Sequence, residues 1–136
     1  MAVKLRNTTN TGLLDVDYSK AGVIKDLLRN WSGLESMSRR GDRVATCVLV
    51  DLKRVTGIDL DTYDPKHRDR FNKRHELGVL SHYQYMSIVY TLVLGYSQHE
   101  VAFVMGIDQS VVAKNIRRGV KRISRALEGA SKNGNT

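Results

Sequence analysis

The chain has 136 residues, 41% of them hydrophobic, and its 22 lysines and arginines outnumber 14 acidic residues to give a net charge of +8. That length suits one domain or two very small ones, and one proline with 11 glycines suits helices broken at few points rather than a β-sandwich. No run of about 18 or more apolar residues occurs, so no membrane-spanning helix is expected. The start, MAVKLRNTTNTG, lacks an apolar core and does not read as a signal peptide.

The charge is lopsided. Residues 1–65 hold ten Lys/Arg and nine Asp/Glu, or +1, whereas residues 66–126 hold eleven and four, or +7. Only the second half is composed for a polyanion. A membrane-surface helix would set bulky apolar residues opposite its cations, but here the apolar face is already committed to a helical core. The single cysteine, Cys47, excludes an internal disulfide. It stands among Val44, Ala45, Val48 and Leu49 and reads as a buried thiol. A cytoplasmic protein is the expectation.

Residues 1–17 read as a polar arm pinned by Leu13, Leu14 and Val16. A helix is predicted from near Ser19, because Ile24, Leu27, Leu28 and Trp31 recur at helical spacing and Leu34 extends the row. Ser36 to Gly41 reads as a connector. A second helix is predicted from about Asp42 to Thr56. Ala45, Val48, Leu49, Leu52 and Val55 form its inner face, and Gly57 stops it. The β-branched Val44, Val48 and Val50 leave a strand as the competing reading, but the helical repeat outlasts a typical strand.

Residues 58–78 change character. Asp59, Asp61 and Asp64 precede Pro65, and then come Lys66, His67, Arg68, Arg70, Lys73, Arg74 and His75. Asp64-Pro65 resembles an N-cap and first-turn proline opening a short basic helix. That helix serves either as a second phosphate contact or as a solvated linker. The aspartates lack the glycine and closing glutamate of a calcium loop. The four histidines have no cysteine partners and no ligand spacing for zinc. No glycine-rich phosphate loop and no catalytic triad is evident, so neither cofactor, metal nor enzymatic activity is expected.

The richest stretch is Leu80 to Leu127. Ser97-Gln98-His99-Glu100 is a capping box, in which the serine hydroxyl and glutamate carboxylate satisfy each other's backbone amides. A short helix is predicted from Gln98 to Met105 with Val101, Ala102 and Met105 inward. Gly106 can take a positive φ to end it, Ile107 turns back to the core, and Asp108 caps the next helix. In that helix Val112, Ile116, Val120, Ile123 and Leu127 step along one face. Six cations and no acid occupy the rest of Gln109–Leu127. The tail after Glu128 is expected to fray.

This stretch resembles the fourth conserved region of the sigma-seventy family of bacterial sigma factors. The matching residues are Leu80-Ser81 and Gln84, Gly95-Tyr96-Ser97-Gln98, Glu100-Val101-Ala102, Met105-Gly106-Ile107, and Gln109-Ser110 with Val112. They cover about a third of the chain. No counterpart of the family's second conserved region is visible, so the resemblance implies a region-four-like DNA-binding protein rather than a complete sigma factor. Phage late-gene regulators, response regulators and some phage packaging proteins share the scaffold.

The resemblance implies a helix-turn-helix whose last helix enters the major groove of double-stranded DNA. By position Gln109, Ser110, Ala113 and Lys114 would face base edges. Arg117, Arg118, Lys121 and Arg122 would meet phosphates, as would the helix start at Ser97 and Gln98. Phe103 and Val104 depart from the family pattern, which is polar there. They either pack on the N-terminal helices or form a surface for a second copy or for RNA polymerase.

The expected fold is therefore all-α. It comprises an N-terminal helical region (1–57), a linker with a short basic helix (58–78), a sigma-like helix-turn-helix unit (79–128) and a flexible tail (129–136). The expected function is sequence-specific, phage-type transcription regulation. A phage small terminase subunit, assembling as a homo-oligomeric ring, and an antiterminator or inhibitor gripping RNA polymerase stay open beside it.

Overall fold

The computed structural model describes residues 16–58 and 78–134, with side chains to residue 129. The predicted basic helix at 66–74 and the pinning residues Leu13 and Leu14 lie outside the described residues. The fold is all-α, and no strand occurs among the described residues. The helices are α1 (Ala21–Arg29), α2 (Trp31–Arg39), α3 (Arg43–Thr56), α4 (His82–Ile88), α5 (Gln98–Met105) and α6 (Gln109–Gly134). α4 runs directly into a π-helical segment, Val89–Val93.

The row Ile24, Leu27, Leu28, Trp31 and Leu34 is buried throughout, but it spans two helices rather than one. The break is at Asn30, whose backbone (φ −96°, ψ 24°) leaves the helical region. Asparagine favours helix ends over helix interiors because its amide competes for backbone groups. Here its side chain occupies the space over Gly33, where a Cβ would stand. Hydrogen bonds run through the break, from Asn30 N–H to Asp26 O (3.0 Å) and from Leu34 N–H to Asn30 O (2.8 Å). The apolar spacing survives for that reason. α2 then extends to Arg39, through most of the expected connector, and the reversal is confined to Arg40, Gly41 (φ 91°) and Asp42.

α3 is a helix, not a strand. The Asp42 carboxylate accepts from Ala45 N–H at 3.0 Å, and Gly57 ends the helix at φ 75°. Ala45, Val48, Leu49, Leu52 and Val55 are its buried face. The Cys47 thiol is only half-buried, because position 47 flanks that face rather than lying on it.

The chain returns at Gly78 to the point it left. Val79 N–H donates to Val55 O (2.9 Å), satisfying a carbonyl that the end of α3 would otherwise leave unpaired. A Cβ on Gly78 would stand 2.5 Å from the Thr56 carbonyl, so only glycine permits this approach. Tyr85 OH on α4 reaches Gly57 O at 3.5 Å. Ser81 and Gln84 form a capping box that opens α4.

α4, α5, α1 and α3 all pack on α6. The buried residues of both halves belong to one hydrophobic cluster. Val16 and Tyr18 add to it ahead of α1. The Ser124 hydroxyl on α6 donates to Tyr18 O, and Tyr18 OH donates to an Asp51 oxygen on α3 (3.3 Å). Burial, with the Asp51 carboxylate second, pushes the Tyr18 phenol well above its ordinary range. No helix among the described residues is long and apolar enough to cross a membrane.

Candidate nucleic-acid interface

α5, its following turn and α6 are built by strong local signals. Ser97 Oγ accepts from Glu100 N–H (3.1 Å), while Glu100 Oε1 accepts from Ser97 N–H (3.2 Å). Val101 and Ala102 are buried, and Met105 and Ile107 pack against the core. Gly106, at φ 70°, ends α5. The Ile107 N–H then donates to Ala102 O (3.1 Å), and the Asp108 carbonyl accepts from Val111 and Val112 (3.0 and 3.2 Å) as α6 begins.

On α6 the residues Val112, Ile116, Val120, Ile123 and Leu127 are all buried. Lys114, Arg117, Arg118, Lys121, Arg122 and Arg125 are all exposed. From Lys114 to Arg125 these cations extend along roughly 16 Å of helix, at 1.5 Å per residue. Among the described residues the ion pairs are Lys20–Asp17, Arg29–Asp26 and Arg54–Asp51. All three lie in the N-terminal half, and none neutralises an α6 cation. Like charges at i, i+3 and i, i+4 recur along the stripe, as in Lys114–Arg118, Arg117–Lys121, Arg118–Arg122 and Lys121–Arg125. Each such pair costs about 0.2–0.5 kcal/mol at low salt. The packing on the opposite face bears that cost, and a bound polyanion would remove it.

Gln109 and Ser110 are exposed in the first turn, and Ala113 is half-buried at the edge of the stripe. Ser97 is exposed and Gln98 half-buried at the start of α5. Arg122 is not wholly free: its Nη1 donates to Val79 O at 3.3 Å, tying α6 to the chain that returns from residue 78. Arg125 continues the stripe one turn past Lys121, beyond the part that the family resemblance marks. Its signal was its spacing from Lys121 and Arg118.

Gly119 has a structural reason that spacing does not reveal. It sits where α4 crosses α6, and a Cβ there would meet Ile88 Cδ1 at 2.5 Å and Gln84 Cβ at 3.3 Å. Phe103 and Val104 do not pack on the N-terminal helices. They are 85% and 71% exposed, because α5 turns Val101 and Ala102 inward and these two outward.

Among the described residues no group of three or more His, Cys, Asp or Glu is placed to hold a metal ion. No protein-family model matches the chain, and no curated protein or solved structure matches it.

Proposed function

We propose that the chain is a sequence-specific double-stranded DNA-binding regulator of transcription, with α5 and α6 acting as a helix-turn-helix and α6 lying in the major groove. One observation carries this reading: six exposed cations stand along Gln109–Leu127 of α6 with no acid among them, and none of them is ion-paired among the described residues. A merely solvated face would interleave both signs, as the N-terminal half does.

The action is docking rather than chemistry. Arg117, Arg118, Lys121 and Arg122 displace condensed counterions from phosphates and supply most of the affinity. Gln109, Ser110, Ala113 and Lys114, in the first two turns, present two amide or cationic heads and two small side chains to base edges. Gln109 can pair bidentately with adenine, and Lys114 can reach guanine. Ser97 and Gln98 place the N-terminal amides of α5 near the backbone. Regulation follows from occupying a chosen site.

The test is fluorescence anisotropy with duplex fragments over a salt series. With about five phosphates neutralised the log–log slope is near −4.5, so affinity falls roughly 500-fold between 0.05 and 0.2 M salt. Lys114→Ala and Arg117→Ala should each weaken binding while leaving the helical circular dichroism unchanged. A flat salt response, or unaltered binding in both variants, overturns the proposal.

A further inference from the structure

We propose that the DNA contact of α6 continues to Arg125, which binds a backbone phosphate beyond the lip of the groove and carries no sequence information; this rests on the helix-turn-helix reading above. Lys114, Arg118, Lys121 and Arg125 step by four, three and four residues, so they form one row along the helix. The row lies opposite the buried Val112, Ile116, Val120, Ile123 and Leu127.

Both flanks of the far half of α6 are committed. On one side the Ser124 hydroxyl donates to Tyr18 O. On the other, Arg122 Nη1 donates to Val79 O at 3.3 Å. At 3.6 residues per turn, Lys121 and Arg125 fall in the sector between those two bonds, and both are exposed. Arg125 is thus held at a fixed rotation, on a helix that runs on to Gly134. The neighbouring acids do not neutralise it. Glu128 is three residues further on, yet it makes no ion pair among the described residues. Asp17, beside Tyr18, accepts from Ser19 and pairs with Lys20 at 4.0 Å.

With Lys114 over base edges, the helical rise carries Arg125 roughly 16 Å further along, more than the roughly 12 Å width of the major groove. There the anion within reach is the sugar–phosphate backbone. A guanidinium suits it, because its planar fork of donors matches two phosphate oxygens. Contacts of this kind set register and affinity, not sequence.

Anisotropy salt series on the full chain, with one A·T-rich and one G·C-rich duplex, separate this role from base reading. Arg125→Ala should lower the magnitude of the log–log slope by about 0.9 and weaken both duplexes by the same factor. Arg125→Lys keeps the charge and should keep the slope. Arg43→Ala, which removes an exposed arginine of α3, should leave slope and affinity as in the wild type. Three results overturn the proposal: a wild-type slope in Arg125→Ala, an altered preference between the two duplexes in that variant, or an equal loss of slope in Arg43→Ala. A wild type without salt-dependent binding sinks the helix-turn-helix reading as well. A wild type that binds, and is weakened by Lys114→Ala but not by Arg125→Ala, overturns this inference alone.

Discussion

Adding one methyl group at Gly119 sets two effects of similar size against each other. Glycine inside a helix costs about 1 kcal/mol relative to alanine, so on propensity alone Gly119→Ala would stabilise α6. The new Cβ, however, would lie 2.5 Å from Ile88 Cδ1 and 3.3 Å from both Gln84 Cβ and Leu80 Cδ2. The Ile88 tip is the end of a side chain, but Ile88 is fully buried, so it can move only by displacing neighbours in a close-packed core. Gln84 Cβ can move only with the backbone of α4. Overpacking of this kind costs about 1–3 kcal/mol, and the balance is a loss of roughly 0–2 kcal/mol.

Gly129, on the same helix, has nothing within 4 Å of its would-be Cβ and isolates the propensity gain. Gly129→Ala should be neutral to stabilising by up to about 1 kcal/mol. Urea unfolding followed by helical circular dichroism measures both. At a typical slope of about 1–3 kcal/mol per molar, the two midpoints should lie on opposite sides of the wild type. If Gly119→Ala matched Gly129→Ala, then α4 and α6 would not approach closely at residue 119, and the packing described for the cationic helix would be wrong.

Two further perturbations probe how the N-terminal half is joined to α6. At Gly78 the atoms in the way are backbone, the Thr56 carbonyl at 2.5 Å and Val55 O at 2.7 Å. Gly78→Ala must part the returning chain from α3, and a loss of at least ~2 kcal/mol is expected in the same urea assay; wild-type stability would refute that close approach. The raised pKa of Tyr18 stabilises the fold below the ordinary phenol value of about 10. That contribution is lost as pH rises from there toward the folded-state value, because the unfolded chain then binds fewer protons. Tyr18→Phe should therefore flatten the loss of stability above about pH 10, and an unchanged alkaline profile would place the phenol in solvent.

Where local chemistry determines structure, the sequence was readable. The Ser97–Glu100 box, the stop at Gly106, and the five apolar steps from Val112 to Leu127 each depend on groups within a turn or two of one another, and each is found in the structure. The core face of α3 was legible for the same reason. What escaped depends on groups far apart in the chain. Gly119 reads as a weak spot in a helix until α4 is laid across it, and Gly78 reads as linker until the end of α3 is beside it. The π-helical segment after Ile88 follows an apolar run that any helix would satisfy. The break at Asn30 was hidden because hydrogen bonds cross it and preserve the spacing. Phe103 and Val104 were legible as anomalies but not as exposed groups, since their surroundings are set by how α5 rotates onto α6. The helix past Glu128 was obscured by Gly129, whose composition suggests a tail although α6 runs to Gly134.

The N-terminal helices matter to the candidate interface through mechanics rather than contact. A helix lined with repelling cations is held only by its opposite face, and isolated helices are marginal in water even with favourable sequences. Along α6 that support is divided. The stretch near Gly119 rests on Leu80, Gln84 and Ile88, while Ser124 is fastened to Tyr18, which is itself held by Asp51 of α3. Arg122 adds a tie to Val79, and Val79 to Val55. The cations at 117–125 therefore stand on a helix whose far half is anchored by residues from before residue 60. Since one hydrophobic cluster spans both halves, weakening the α3 contacts should loosen the stripe as a whole. The first half of the chain carries little net charge, and what it gives the highly charged helix is packing support from α1 and α3.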